Sequence, residues 1–179
     1  MGQLYKGQGI LLLLQALSKT PSFFKLKIIG GKSSEIASLK AECLALNIAE
    51  RVEFLGFHPP SQLPALLENT HAFVAPFEAK GKMAYVAHTK LMEYADWGRP
   101  VIAPDLEVVK ECFPEYRGVL FFDADNAISL ADTIIKLQKK ELWERLCHEI
   151  RTKEKRFTWA ERGRTYLELL QQSISGVIY

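Results

Sequence analysis

Short apolar runs alternate with helical segments along nearly the whole of this 179-residue chain. Apolar runs of this length are typical of strands buried in a parallel sheet. The predicted strands cover 25–29, 51–55, 72–76, 100–104 and 118–122. The predicted helices cover 10–18, 34–47, 62–69, 89–97, 106–113, 127–139 and 141–173, the last with a break near Phe157-Thr158-Trp159. This order predicts an α/β fold, with a Rossmann-like, mostly parallel sheet and helices on both faces.

The chain forms one predicted domain over residues 1–179, in which 157–173 is the C-terminal helix. Several predicted helices begin beside Ser, Asp or Asn, whose side chains accept hydrogen bonds from the unpaired amides of a first turn. The predicted caps are Ser33-Ser34-Glu35 for the helix over 34–47, Ser61 for 62–69, and Asp125 or Asn126 for 127–139.

The start of the chain departs from the Rossmann pattern. Such a unit has an apolar strand before its first glycine loop, and here only Met1 precedes Gly2 in the loop GQLYKGQG. In the Rossmann strand order that strand is central, so its absence would expose strand edges. We therefore expect the chain to be a fragment or to need a partner.

Composition narrows the classes of function. A net charge of +2 gives no field that would attract nucleic acid, and the Lys- and Arg-containing stretch 136–156 alternates with glutamates as in a solvated helix face. Three widely spaced cysteines, Cys43, Cys112 and Cys147, are typical of buried thiols in the reducing cytoplasm. The run Ile10–Leu14 is too short to span a bilayer, so a peripheral contact at the inner membrane face is the membrane association left open.

The stretch YVAHTKLMEYADWGRPVIAPD, residues 85–105, is the most informative for function. It predicts a loop, a short helix carrying Glu93, a stop at Gly98 and a buried strand. Ligands of open α/β sheets bind where strand ends meet helix N-termini, and the free amides of a helix N-terminus suit a phosphate. Lys90 adds a cation and Glu93 could accept hydrogen bonds from hydroxyls, which predicts a nucleotide-diphosphate site; the alternative is an ordinary surface helix.

Five segments of the chain, taken in their sequence order, resemble the donor-binding C-terminal domain of the group-1 (family 4) retaining glycosyltransferases, which have the GT-B fold. They are GQLYKGQGILLLLQAL, LKIIGG, RVEFLGFHPPSQLPALLENTHAFVAPF, KLMEYADWGRPVIAPD and FTWAERGRTYLELL. The resemblance runs from Gly2 to about Leu170 and implies that the chain is one half of a GT-B fold.

The resemblance also implies roles for particular residues. Glu93 matches the glutamate that binds the ribose hydroxyls of the donor, a role suited to a buried or half-buried carboxylate. The amides around Ala87, His88 and Thr89 would approach the diphosphate, and Lys90 would contact a phosphate or the loop backbone. Further binding positions lie in the glycine loop, after the second strand and after the third strand; they are Gly2, Gly30 and His58.

The chain departs from the family at three positions. A second glutamate, which helps to hold the transferred sugar, should stand where this chain has Tyr85. The glycine loop has Gln3 and Gln8 where the family often has Arg and Lys, and only the displaced Lys6 supplies charge there. Two lost cations facing a desolvated diphosphate would cost a few kcal/mol of binding.

The family implies a retaining hexosyltransferase that takes a UDP-, GDP- or ADP-sugar as substrate, uses no cofactor or metal, and transfers to a glycan or lipid-linked acceptor in polysaccharide biosynthesis. In a complete enzyme an N-terminal domain, absent here, carries the acceptor site, so we expect the isolated domain to be weak or inactive. One alternative is a degenerate, non-catalytic nucleotide-binding or interaction module, favoured by Tyr85, Gln3 and Gln8. Another is a nicotinamide-dependent Rossmann protein, which the lack of a strand-preceded G-x-G-x-x-G disfavours.

Overall fold

The computed structural model describes residues 1–5, 7–81, 85, 89–113, 115, 117–152 and 159–175, with the backbone alone for 159–162, 174 and 175. The strands in this part are β1 Leu26–Ile29, β2 Val52–Gly56, β3 Phe73–Val74, β4 Val101–Pro104 and β5 Val119–Phe122. The helices are α1 Ile10–Ser18, α2 Ser33–Ala45, α3 Leu63–Leu67, α4 Thr89–Asp96, α5 Glu107–Lys110, α6 Ala127–Lys136, α7 Lys140–Arg151 and α8 Trp159–Ser175. The predicted alternation is confirmed, and the predicted break near Phe157 lies outside the described residues.

The strands are parallel, as predicted, but they form two sheets in the described part of the chain. β1 pairs with β2, and β3, β4 and β5 pair in that order. In the second sheet Val101 of β4 is opposite Phe73 on one side and Val119 on the other. A Rossmann sheet has a central strand between two such groups, and among the described residues no strand pairs with both β1 and β3.

Helices cover both faces of the larger sheet. Successive side chains of a strand point to opposite faces, and those of β4 pack against different helices. Val101 and Ala103 of β4 belong to a core cluster with Leu91 of α4. Ile102, between them, belongs to a second cluster with Leu13 of α1 and with α6. This arrangement confirms the predicted Rossmann-like fold with helices on both faces.

Helix α1 connects the two sheets. Its Leu13 packs in the cluster of β4, β5 and α6, whereas Leu14 and Leu17 pack with Ile28 of β1 in a third cluster. Leu14 is fully buried, as expected for a helix that is apolar on most of its surface. The contacts of α1 therefore hold β1 and β2 beside the larger sheet.

The predicted helix caps have mixed outcomes. Asn126 caps α6 as predicted, with its Oδ1 accepting from the amides of Ile128 at 3.0 Å and Ser129 at 3.1 Å. The prediction for Ser61 is wrong, because Ser61 lies inside a 3₁₀ turn, Pro60–Gln62, that precedes α3. In the predicted group Ser33-Ser34-Glu35, the Glu35 carboxylate caps the start of α2 by accepting from the Lys32 amide at 2.7 Å, whereas Ser33 and Ser34 lie within the helix.

The three cysteines are buried thiols, as predicted. Burial raises the pKa of Cys43 and that of Cys147, so both thiols stay protonated near neutral pH. Among the described residues, no helix is both long enough and apolar enough to cross a membrane.

Candidate functional site

The glycine loop before α1 lies at the carboxyl ends of β1 and β3. The Gly2 amide donates to the Ile29 carbonyl of β1 at 2.8 Å, and the Glu78 amide, after β3, donates to the Gly7 carbonyl at 3.2 Å. In parallel α/β sheets this edge is where ligands bind. The loop thus occupies the position that the sequence predicts for a ligand-binding loop.

Two glycines make this close approach feasible. Gly30 has φ +105°, and a Cβ there would lie 2.1 Å from the Gly2 carbonyl oxygen. Gly9, which has φ +68° and directly precedes α1, would place a Cβ 1.6 Å from the Pro76 carbonyl oxygen. Any side chain would force the loop away from both strand ends, so the backbone path depends on glycine at these positions.

Lys90 reaches from the first turn of α4 to the glycine loop. Its Nζ donates to Oε1 of Gln8 at 2.8 Å, and Gln8 is 6% exposed. A Cβ on Gly2 would be 2.9 Å from Lys90 Cε, so the lysine side chain lies along the loop. In the sequence, Gln8 stands where the family often has a cationic side chain. In the structure, the Gln8 side chain binds the ammonium of Lys90, which comes from α4.

Burial lowers the pKa of Lys90, and attraction to the Glu93 carboxylate offsets part of that effect. The cation is therefore partly desolvated, and the Gln8 oxygen compensates one of its three N–H donors. A partly desolvated ammonium interacts more strongly with an anion than one in bulk water does. This is an electrostatic environment suited to a phosphate.

Glu93 lies three residues after Lys90 on α4 and its side chain is exposed. Glu93 is therefore not the buried or half-buried carboxylate that suits the ribose role best, since the side chains of α4 that enter the core are Leu91, Tyr94 and Ala95; its predicted role stays a prediction. The exposed carboxylate still acts on its neighbours: burial lowers the pKa of Lys90 and the Glu93 charge offsets part of that fall, while burial raises the pKa of Tyr94 and the Glu93 charge adds to that rise. Glu93 thus presents acceptor oxygens to solvent beside the lysine.

Met1 and Tyr94 extend this group of residues, and sequence reasoning missed both. The Met1 amino group donates to the Tyr94 hydroxyl at 2.9 Å. Burial lowers the pKa of the Met1 amino group to about 5, and repulsion from Lys90 adds to the effect. Tyr94 is 3% exposed and stacks on Phe73 of β3, with ring centroids 4.8 Å apart. The one sequence signal for the contact between Met1 and Tyr94 was the aromatic side chain of Tyr94 on the apolar face of the predicted helix.

The other predicted site residues have separate positions. Thr89 is exposed and begins α4, Tyr85 is 86% exposed, and Gln3 is exposed in the glycine loop. Lys6, Ala87 and His88 lie outside the described residues. Their predicted roles stay predictions.

His58 is held within the turn after β2. Its Nε2 lies 3.0 Å from the Leu55 carbonyl, which can only accept, so this nitrogen is the donor. Its Nδ1 lies 2.7 Å from the Gln62 side-chain amide. The imidazole is therefore engaged in the turn, and the predicted binding role of His58 stays a prediction.

Within the described residues, no group of three or more His, Cys, Asp or Glu side chains could hold a metal ion. The residues brought together are a glycine loop, a partly buried lysine, the start of a helix and an exposed carboxylate. Chemically, this set can bind an anion and accept hydrogen bonds from neighbouring hydroxyls.

Residues 1–140 match the sequence profile of the family described as glycosyl transferases group 1. The chain therefore belongs to the group 1 glycosyltransferases, and the resemblance found in the sequence is confirmed. No curated protein matches the chain.

Solved structures show the same fold. HepE from Anabaena, solved in complex with UDP, superposes with a TM-score of 0.80 at 18% identity, over 96% of this chain and 48% of HepE. Sucrose-phosphate synthase from Thermosynechococcus elongatus gives 0.72 at 19% identity, over 98% of this chain and 45% of the synthase. The catalytic domain of the cholesterol-α-glucosyltransferase from Helicobacter pylori gives 0.66 at 18% identity, over 84% of this chain and 91% of that domain. The chain thus spans about half the length of the first two proteins, and its fold is confirmed as the Rossmann-like half of a GT-B fold.

Proposed function

We propose that this chain is the donor-binding domain of a glycosyltransferase and binds a nucleotide-diphosphate sugar at the carboxyl ends of β1, β3 and β4. The observation that carries the proposal is the meeting of the glycine loop, Lys90 and the start of α4 in one place. An 18% identical structure with the same fold holds UDP, which is in keeping with a nucleotide ligand.

In the proposed complex each group has a defined task. The diphosphate binds between the glycine loop and the amino end of α4, where free amides and Lys90 offset its negative charge. The Gln8 bond uses one of the three donors of the Lys90 ammonium, and the others can turn to phosphate oxygens. The exposed Glu93 carboxylate accepts from the two ribose hydroxyls.

The reaction that this site would serve is transfer of a hexose with retention of anomeric configuration. As the sugar–phosphate bond breaks, negative charge develops on the departing diphosphate, and fixed amides with a nearby cation stabilise it. The diphosphate then accepts the proton of the acceptor hydroxyl. An accompanying N-terminal domain would hold a glycan or lipid-linked acceptor, and closure of the two domains would exclude water.

The second candidate is a non-catalytic nucleotide-binding or interaction module. Tyr85 is 86% exposed at the position where the family has a sugar-binding glutamate, so that carboxylate is not available from this residue. Such a module would retain the fold but lack either sugar selectivity or nucleotide binding altogether.

Thermal unfolding of the purified chain with UDP, GDP, ADP and their glucose or mannose conjugates tests the proposal. A ligand at one hundred times its Kd adds about 2.7 kcal/mol to the free energy of unfolding. We expect one base to stabilise the chain, Glu93→Gln to lose most of that stabilisation, and Glu42→Gln, an exposed glutamate on α2, to keep it. If no nucleotide stabilises a cooperatively folding chain, the non-catalytic module is the better description.

A further inference from the structure

Gln8 is a buried polar side chain whose hydrogen-bond partner lies on a distant element. Among the described residues, the buried polar side chains are Gln8, Thr20 and Thr133. The two threonine hydroxyls donate to carbonyls three and four residues earlier in the chain, which are local bonds. Gln8 instead accepts from the Lys90 ammonium, 82 positions later, at 2.8 Å. Because a buried amide is costly unless it is hydrogen-bonded, this long-range contact fixes the position of both side chains.

The Lys90 ammonium has a competing partner on its own helix. Glu93 follows three residues later on α4, and side chains at this spacing are neighbours that commonly form ion pairs. The ion pairs in the described part of the chain do not include one between Lys90 and Glu93. Burial lowers the pKa of Lys90 and the Glu93 charge offsets part of that fall, so the two charges are close enough to interact. The ammonium thus lies against the glycine loop and apart from the nearby carboxylate.

A neutral acceptor at position 8 suits this arrangement better than a charged or an apolar one. The amide oxygen of Gln8 satisfies one N–H of the ammonium and leaves its positive charge intact. A carboxylate there would neutralise the charge, and an apolar side chain would leave a partly buried ammonium without this acceptor. In the second case, the exposed Glu93 carboxylate is the next partner within reach.

We propose that Gln8 is a positioning residue of the donor site. Its side-chain oxygen holds the Lys90 ammonium at the glycine loop and keeps it from pairing with Glu93. The cation then stays available to phosphate oxygens and the carboxylate to ribose hydroxyls. This last step rests on the proposed function, whereas the contact itself can be tested without any nucleotide.

Zero-length cross-linking tests the positioning of Lys90 in the free chain. A carbodiimide joins an amine to a carboxylate when the two are in contact, and mass spectrometry of the digested chain locates the new amide bond. Gln8→Met keeps a long, unbranched side chain but replaces the amide by a much weaker acceptor. We therefore expect the Lys90–Glu93 link to increase several-fold over the parent chain. Gln15→Met, the same change at an exposed position of α1, should leave the link unchanged.

A second variant reports on the same contact from the loop. Gln8→Glu places a carboxylate where the amide oxygen lies 2.8 Å from the Lys90 Nζ, so we expect the carbodiimide to join Lys90 to position 8. This variant keeps a hydrogen-bond acceptor at the buried position and serves if Gln8→Met fails to fold.

Exchange of the two side chains connects the contact with nucleotide binding. Lys90→Gln removes the cation, and we expect titration calorimetry with UDP, GDP and ADP to show binding of the preferred nucleotide about tenfold weaker. The double variant Gln8→Lys with Lys90→Gln reverses the donor and the acceptor of the bond and returns one cation to the same place. We expect its affinity to lie within about threefold of the parent chain. A glutamine that only stabilised the fold would not allow this recovery.

Three results would overturn the proposal. The first is an unchanged Lys90–Glu93 link in a folded Gln8→Met chain, and the second is a folded Gln8→Glu chain in which Lys90 is not joined to position 8. The third is a double variant that binds the nucleotide as weakly as Lys90→Gln alone. If the cross-links form as expected but no nucleotide binds the parent chain, the donor-site proposal fails and the positioning of Lys90 by Gln8 is still supported.

Discussion

At the residue scale, Gly30 allows the glycine loop to approach β1 closely, because it has no side chain. The glycine loop returns to the sheet by the Gly2–Ile29 bond, and Gly30 leaves room for the Gly2 carbonyl at this point. Lys90 then lies along the same loop and is fixed by Gln8. A side chain at position 30 would therefore disturb both the fold and the proposed phosphate site.

We predict that Gly30→Ala lowers the free energy of unfolding by about 2–5 kcal/mol, because a positive φ and an overpacked contact add their costs. Gly56→Ala is the matched control, since Gly56 has φ +67° but nothing within 4 Å of an added Cβ. It should cost about 1–2 kcal/mol, the backbone effect alone. Urea unfolding measures both, and equal losses would contradict the role given to the contact with Gly2.

The Met1 amino group predicts a pH dependence of stability. Its pKa falls from 8.0 in the unfolded chain to about 5 in the folded one because it is buried. Between these values the unfolded chain binds a proton that the folded chain does not, so the free energy of unfolding falls as pH drops from 8 to 5. The full difference is at most about 4 kcal/mol.

Acetylation of the Met1 amine isolates this contribution, because an amide does not titrate in this range. We expect denaturant unfolding of the acetylated chain to show a shallower pH dependence between pH 5 and 8, while the four histidines contribute equally to both forms. Identical pH profiles would mean that the amino group is solvated in the native state.

At the element scale, the backbone conformation at the start of a helix decides whether a predicted capping residue caps it. Asn126 has an extended backbone with φ −113° and lies directly before α6, so its side chain reaches two free amides. Ser61 has the right chemistry but lies within the turn Pro60–Gln62, where its backbone is already curved. The composition of a segment suggests a cap, and the backbone conformation determines whether the cap forms.

This difference predicts unequal effects of two similar substitutions. Asn126→Ala should lower the free energy of unfolding by about 1 kcal/mol, because two amide donors of α6 lose their acceptor. Ser61→Ala should change it by less than about 0.5 kcal/mol, as expected for a surface position without such a bond. Chemical denaturation of both variants beside the parent chain gives the comparison; a larger loss for Ser61→Ala would reverse the assignment of the cap.

At the scale of the whole molecule, the described strands form two sheets, and we expect these to differ in their stability against local unfolding. The three-stranded sheet is packed between α4 and α6 and includes the fully buried Val101 and Ala103. The pair β1–β2 relies on α1 and α2, and Ile28 lies in the core cluster that has the fewest buried members among the described residues. Two-stranded sheets are marginal without further packing.

We predict that native-state hydrogen exchange is faster in β1 and β2 than in β4, because the smaller unit opens at lower free energy. Exchange of peptides covering 26–29, 52–56 and 101–104, followed by mass spectrometry, measures this order. Uniform protection in the free chain would show that the two sheets open as one unit.

The sequence alone determined the alternation of strands and helices, the two-sided packing and the membership of a glycosyltransferase family, because periodicity, glycine stops and motif order are local properties. It also located Lys90 and Glu93 on one short helix. The tertiary structure decided what those residues touch: Lys90 meets Gln8, 82 positions earlier, and the Met1 amine meets Tyr94, 93 positions later. It also decided that Glu93 is exposed. Such contacts depend on how whole elements pack against one another, and no local pattern of residues specifies that packing.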